Sequence, residues 1–328
     1  MARHDSSNGY SNGCSARHAG APDEILLETR SPKVRAALDT IDRAAQSDAP
    51  VVLRGETGVG KKMLALTLHA RHRRHAKPFV IVACHGIAEE SLARELFGSG
   101  GLAFSTFDRA GCVEAAAGGT LFLDAVVELP PGLQTRLLRL LHEQRFVRCG
   151  ESRSRRANVR IVAASRQSLE AEVAAGRFDP DLFFRLNVIE IHVPPLRERI
   201  DDVLLLARHF LAFFARSLDR EVPTLSADAE AALLDYDWPG NVGELRNAMQ
   251  RVVALSPDPV IEPAALPEHL HDRHVSVPEC GGDFTLEEIE RRHVLALLAR
   301  NDKLDEVART LGIDVSTLWR KRKKYEAS

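Results

Sequence analysis

The residues best placed to do chemistry are the turn GETGVGKK, Gly55 to Lys62, and a lone acid at the end of GTLFLD, Asp124. The turn has the spacing G-x-x-x-x-G-K at Gly55, Gly60 and Lys61, between the apolar run VVLR and a helical pattern. Glycines there let the backbone curl until its N–H groups face phosphate oxygens. Lys61 adds charge beside the outer phosphates, and the helix start adds its dipole. Gly55, Glu56, Thr57, Gly58, Val59, Gly60, Lys61 and Lys62 are therefore the candidate cradle, with ATP or ADP as the expected ligand. Asp124 is the candidate holder of a Mg2+ ion that comes with the nucleotide. A glycine-rich turn that binds nothing is the competing reading; the strand before it and the later strand-borne acid weigh against that. Two positions depart from hydrolytic chemistry. Lys62 stands where many P-loops carry the Ser or Thr hydroxyl that touches Mg2+. Ala125 stands where a second acid usually follows to activate water.

These residues need a scaffold, and the pattern around them supplies one. VVLR, PFVIVAC, GGTLFLD and NVRIVAAS read as four strands separated by helical stretches, which predicts an α/β fold with a largely parallel sheet. SPKVRAALDTIDRAAQ reads as a helix, with Ser31 as N-cap and Pro32 after it. The first 23 residues are rich in Ser, Gly, Asn and His and read as a disordered leader. Residues 24–198 read as the α/β core and residues 199–256 as a small subdomain built of helices only. Residues 257–283, rich in Pro, His and acids, read as a linker, and residues 284–328 as a compact all-α end piece.

That end piece, LDEVARTLGIDVSTLWRKRKKY, has a helix-turn-helix layout. Leu304, Val307, Ala308 and Leu311 make one apolar face, Gly312 suits the left-handed turn position, and Ile313 plugs the turn. The next helix carries Leu318 inward and Ser316, Thr317, Arg320, Lys321, Lys323 and Lys324 mostly outward. Such a helix fits the major groove, its first residues near base edges and its basic residues near phosphates. A solvated basic helix is the bland alternative, and the preceding LGIDVSTL argues for double-stranded DNA as the partner. One such module binds weakly, so a dimer is expected.

The totals exclude several classes. The net charge of −2 is not that of a generally basic nucleic-acid binder, so DNA contact has to come from a local patch. No apolar run approaches the roughly 20 residues of a membrane span, and the N-terminus lacks an export core, so a cytoplasmic protein with no membrane contact is expected. Five cysteines without CxxC spacing, Cys14, Cys84, Cys112, Cys149 and Cys280, read as reduced thiols. Cys84 reads as a small buried residue. His69, His72 and His75 read as a polar, solvated helix face rather than a metal site. PPLRER offers charges either for pairing between subunits or for an exposed structural role.

Seven segments come in order at the right distances: RGETGVGKKMLA, ELFG, GGTLFLD, ELPPGLQTRLLRLLHEQRFVRCG, NVRIVAAS, AAGRFDPDLFFRLNVIEIHVPPLRERIDDV and YDWPGNVGELRNAM. Together they resemble the AAA+ domain of bacterial sigma-54-dependent activators, the NtrC family, from about Glu24 to Leu255, and the tail resembles that family's Fis-type helix-turn-helix. The resemblance implies an AAA+ P-loop sheet with helices on both faces and a helical lid. It also implies a ring-forming ATPase that remodels sigma-54 RNA polymerase and binds DNA. The receiver or sensor domain often found at the front of the family is expected to be absent.

At the chemistry the family pattern fails repeatedly. Ala125 replaces the glutamate that polarises water, and Ala83 replaces the asparagine that holds it. Arg166 replaces a sensor asparagine, and Gly243 a nucleotide-sensing arginine. Of two arginines that reach a neighbouring subunit's γ-phosphate, Asp179 replaces the first and Arg185 keeps the second. The sigma-54-touching loop aligns with Leu102 to Phe107; Phe104 survives but the flanking glycines do not. A positioned general base contributes roughly 10²–10⁴-fold and an arginine finger about 10³–10⁵-fold. The expectation is a DNA-binding regulator that holds ATP with little or no turnover, with sigma-54 contact doubtful and a dimer or hexameric ring as its assembly. A working sigma-54 activator ATPase, a non-regulatory P-loop enzyme or assembly factor, and a decayed gene product are the alternatives.

Overall fold

The structure, a computed structural model, describes residues 15–17, 28–100, 109–270, 285–300 and 304–326. Its contacts divide the chain into two units, residues 1–271 and 272–328.

The larger unit is built on a six-stranded sheet. Its order is β1 (Ser15–Arg17), β3 (Phe79–Ala83), β4 (Thr120–Asp124), β7 (Arg160–Ser165), β2 (Val51–Arg54), β8 (Ile189–His192). Every neighbouring pair is parallel except β1 with β3. The central strands are covered on both sides. All six residues of β7 are buried, as are the first four of β4, and this is why both read as unbroken apolar runs. Helices α1 (Pro32–Ala44), α2 (Lys61–Ala70), α3 (Glu89–Phe97), α4 (Cys112–Ala115), α5 (Pro131–Glu143), α6 (Leu169–Ala174) and α7 (Pro180–Leu186) connect the strands. Two apolar clusters result. One joins α3, α5 and α7 to β3 and β4 through residues such as Leu92, Leu133 and Leu182. The other joins α1 and α2 to β2 through Ile41, Leu68 and Leu53. A hairpin, β5 (Arg145–Val147) with β6 (Ser154–Arg156), stands apart from the sheet.

The next segment packs as a lid on its own core, with Trp238, Leu245 and Met249 fully buried. It contains α8 (Val203–Ser217), α9 (Ala227–Asp235) and α10 (Asn241–Leu255). Three expectations change here. The leader is not wholly without structure, because Ser15–Arg17 adds an antiparallel edge strand opposite Phe79–Ile81. The lid is not helical only, since β9 (Thr224–Leu225) pairs with β10 (Val260–Ile261). Residues 257–270 are not linker: Ile261, Leu266 and Leu270 are buried in the lid core despite their polar neighbours. The remaining linker residues, 271–283, lie outside the described residues. Among the described cysteines Cys84 and Cys149 are free thiols, whereas Cys112 is disulfide-bonded, a pairing that spacing alone did not show.

The smaller unit is three helices, α11 (Leu286–Arg300), α12 (Leu304–Leu311) and α13 (Val315–Glu326), around Val294, Val307, Ala308, Leu318 and Tyr325.

Candidate functional site

Because β2, β3, β4 and β7 are parallel, their C-terminal ends meet at one edge of the sheet, where open α/β sheets hold ligands. Arg54 lies opposite Ser165, and Ala83 opposite Asp124. A cleft of about 380 Å³ opens there, lined by Thr57, Gly58, Gly60, Lys61 and Lys62 from the glycine-rich turn and by Asp124 and Ala125 from β4. Gly58 and Gly60 have φ of +81° and +104°, the left-handed backbone such a cradle requires. Gly55, Glu56 and Val59 do not line the cleft. Gly55 packs so tightly under Val193 that a Cβ would lie 2.6 Å from that residue's carbonyl oxygen. Lys61 reaches back across the turn, its Nζ donating to the carbonyls of Gly55 at 2.7 Å and Glu56 at 2.8 Å. Burial pulls its ammonium below the usual lysine range; Asp124 opposes that shift and Arg166 adds to it.

The two substituted alanine positions are together. Ala83 and Ala125 flank Asp124, one across the strand pair and one after it in sequence. Ala125 holds a left-handed backbone, φ 58° and ψ 50°, that opens a 3-10 turn at Val126–Glu128. That turn brings Glu128 to the cleft wall, and the loop after β3 brings His85. Neither was singled out in the sequence, because neither falls on a spacing that marks phosphate chemistry. Arg166, one residue past β7, also lines the cleft. In the sheet order it emerges between the strand that feeds the cradle and the strand that ends in Asp124.

The lid closes on the cradle through its backbone and two side chains. Arg197 makes a two-point ion pair with Glu56, at 2.6 and 2.9 Å. That contact, with the Asn241 amide second, pushes the Glu56 carboxyl down to about 2. Asn241 is fully buried with φ 55°. Its Oδ1 accepts from the Leu196 N–H at 2.7 Å, and its Nδ2 donates to Glu56 at 3.1 Å and to the Thr57 carbonyl at 3.0 Å. The Gly243 N–H donates to the Gly58 carbonyl at 3.1 Å. A Cβ on Gly58 would lie 2.1 Å from the Gly240 oxygen. PPLRER is thus used within the chain: besides Arg197, the buried Arg199 donates to the Val59 carbonyl at 2.9 Å. Beside the cradle, Val34, Leu38, Met63, Val193, Leu206 and Val242 line a small apolar pocket shaped between α1, α2 and the lid.

Asp179 has a local task. Its carboxylate caps α7, accepting from the Leu182 N–H at 2.9 Å. Arg185 is exposed on the last turn of the same helix and makes no hydrogen bond or ion pair among the described residues. Leu102 to Phe107 lie outside the described residues; Ser99 and Arg109, which precede and follow them, pair in an antiparallel bridge. The histidine reading is corrected. His69 is fully buried, its ring bridging the Thr120 hydroxyl at 2.9 Å and the Lys77 carbonyl at 3.1 Å. His72 is buried beside Asp48 and Arg160, and only His75 is exposed. Among the described residues no group of three or more His, Cys, Asp or Glu side chains is placed to hold a metal.

The fit of Mg2+ can be judged from the donors. Of the residues lining the cleft, Thr57, Asp124 and Glu128 carry side-chain oxygens, while Lys61, Lys62 and Arg166 carry cationic groups. Lys62 stands at the sequence position where many P-loops carry the hydroxyl that would bind the ion. This set does not fit a resident divalent cation.

In the smaller unit Gly312 has φ 66°, and Asp314 caps α13 by accepting from the Ser316 N–H at 2.8 Å. Leu318 is fully buried; Ser316, Arg320, Lys323 and Lys324 are exposed, and Thr317 is half-buried. Lys321 is half-buried and paired with Glu290 at 2.6 Å, and Lys324 pairs with Glu287, so these two are less free than their spacing implies.

Residues 27–192 match the model of the sigma-54 interaction domain, residues 197–279 that of an AAA+ ATPase lid, and residues 285–325 that of the Fis-family bacterial regulatory protein. The chain belongs to the sigma-54-dependent, NtrC-type family of transcription regulators. It is 42% identical over 301 residues to the alginate biosynthesis transcriptional regulatory protein AlgB of Pseudomonas putida, covering 91% of this chain and 67% of that one. The transcriptional regulatory protein ZraR of Klebsiella oxytoca is 40% identical over 296 residues, 89% of this chain and 67% of its own. Crystallised NtrX from Brucella abortus in complex with ADP superposes with a TM-score of 0.69 at 31% identity, over 91% of this chain and 69% of that one. The AAA+ fold with lid and Fis-type tail is therefore that of this NtrC-type regulator. Among the described residues no helix is long and apolar enough to cross a membrane.

Proposed function

We propose that this NtrC-type regulator acts in the cytoplasm, binds double-stranded DNA through α13, and holds ATP or ADP in the cleft as a structural ligand with little or no turnover. The observation that carries the reading is the pair Ala83 and Ala125 on either side of Asp124, which leaves no carboxylate at the position that polarises water. The free Arg166 guanidinium, the cap role of Asp179 and the Gly243 backbone contact on Gly58 support it, since each replaces a group that senses or cleaves the γ-phosphate in the family. A solved relative holds ADP in the same fold, which supports the choice of ligand. Without turnover the chain does not remodel sigma-54 polymerase, and its DNA-bound form is a homo-oligomer, a dimer or a ring in which Arg185 faces a neighbour. RNA polymerase in another form stands as its transcriptional partner. Equilibrium binding of ATP to the purified chain tests this, with Lys61→Ala as the non-binding control and phosphate release measured alongside. Tight binding with release at the background rate supports the reading, and brisk release refutes it.

One observation favours the second reading, a working activator ATPase. Glu128 lines the cleft four residues after Asp124 and is positioned to supply a carboxylate from the 3-10 turn. If phosphate is released, and Glu128→Gln abolishes the release while ATP still binds, that reading replaces the first.

A further inference from the structure

Three features of the cleft belong together. Arg166 emerges from β7 between the cradle strand and the Asp124 strand, because β7 lies between β2 and β4 in the sheet. Its turn is held by the Ser165 hydroxyl, which donates to the Gln167 carbonyl at 2.6 Å, and by the Gly55 N–H on the Ser165 carbonyl at 3.1 Å. The guanidinium lines the cleft and makes no hydrogen bond or ion pair among the described residues. It is close enough to Lys61 to disfavour that ammonium's charge. With Lys61 and Lys62 it makes three cations against the two carboxylates of Asp124 and Glu128. In a metal-dependent P-loop a hydroxyl and an acid would share a divalent ion at this place; here the acid, Asp124, is kept, but Lys62 stands at the hydroxyl's position and Arg166 lines the same cleft.

We propose that the cleft takes a nucleoside di- or triphosphate without a divalent cation, the Arg166 guanidinium occupying the place and supplying the charge that Mg2+ supplies elsewhere. A guanidinium offers five N–H donors in a planar fork that matches two phosphate oxygens at once. A bound nucleotide would give Arg166 the acceptors it lacks and would draw the Lys61 ammonium off the Gly55 and Glu56 carbonyls. The same fork holds the phosphates in the ground state without the ion that would polarise them. The inference deepens the nucleotide-holding reading above and rests on it.

The test is ATP and ADP binding to the full chain in excess MgCl2 and in EDTA at matched ionic strength. The expected dissociation constants in the two buffers agree within about fivefold. Arg166→Asn should weaken binding in EDTA by at least about tenfold, the loss of a charge-assisted pair, and should make binding respond to Mg2+. Arg166→Lys should fall between, and thermal melting of both variants without nucleotide should match the parent, because the side chain is exposed. Binding by the unaltered chain that falls by more than about fivefold in EDTA overturns the metal-free site while leaving the nucleotide reading intact. An Arg166→Asn chain that binds as the parent does in EDTA overturns the role of Arg166. No binding in either buffer overturns both the inference and the reading it rests on.

Discussion

Asn241 is where lid and cradle are most tightly joined, and replacing it by alanine puts a number on that junction. The amide is fully buried and makes bonds at 2.7, 3.1 and 3.0 Å to Leu196, Glu56 and Thr57. Alanine would leave the Leu196 N–H and the Thr57 carbonyl without these partners, at about 1–3 kcal/mol for such an orphaned buried group. It would also hold a left-handed backbone at φ 55°, which asparagine tolerates better than alanine, for roughly 1–2 kcal/mol more. Asn241→Ala should therefore destabilise the larger unit by about 4 kcal/mol, read as a lower urea midpoint at an unchanged slope. Asn241→Gly loses the same bonds without the backbone strain, so it should recover about 1 kcal/mol of that loss. Both variants should also bind ATP more weakly, since the cradle would lose its outer wall. A loss under about 1 kcal/mol for the alanine variant would show that the junction does not hold the lid. A glycine variant no better than alanine would show that the backbone at position 241 relaxes.

His72 gives a pH signature. Burial first, and Arg160 second, pull its imidazole down to about 4 from 6.5. The folded state therefore takes up its proton later than the unfolded chain. The stability it contributes is complete above pH 6.5 and is lost as pH falls towards 4, for about 3 kcal/mol in total; His72→Asn should flatten that slope in urea titrations across the range. In the smaller unit, Leu318→Ala should cost about 2–5 kcal/mol. DNA binding should vanish with the fold of that unit, while ATP binding by the larger unit persists. Arg320→Ala and Lys323→Ala should each weaken DNA binding and reduce the slope of log affinity against log salt by about 1. Lys321→Ala, already committed to Glu290, should change the slope less, and filter binding across a salt series checks the order.

The cradle, Asp124 and the helix-turn-helix were legible because each is local: a turn with fixed spacing, a strand ending in one acid, a short apolar face ended by Gly312. The parallel sheet was legible from the same runs, since strands buried on both sides carry unbroken apolar sequence. What escaped was set by contacts between distant segments. His69 and His72 look polar in the sequence, yet His69 near the end of α2 and His72 just after it are buried, their rings enclosed. Arg197 and Asn241 meet Glu56 across 141 and 185 residues, and nothing local marks them. Residues 257–270 hide Ile261, Leu266 and Leu270 among prolines and acids, so composition spoke for the majority of side chains rather than the buried few. Glu128 and His85 reach the cleft only because a 3-10 turn and a loop bend towards it.

The abutment of Gly58 on Gly240 gives the glycine-rich turn a ceiling made from the lid. Gly58 cannot acquire a side chain without pushing the Gly240 carbonyl away, and the turn would lose a hydrogen-bonding neighbour if the lid moved off it. Cutting the chain after β8 would therefore not yield a simpler nucleotide-binding module; it would yield a turn with one wall missing, its Gly58 carbonyl and Glu56 carboxylate handed back to water.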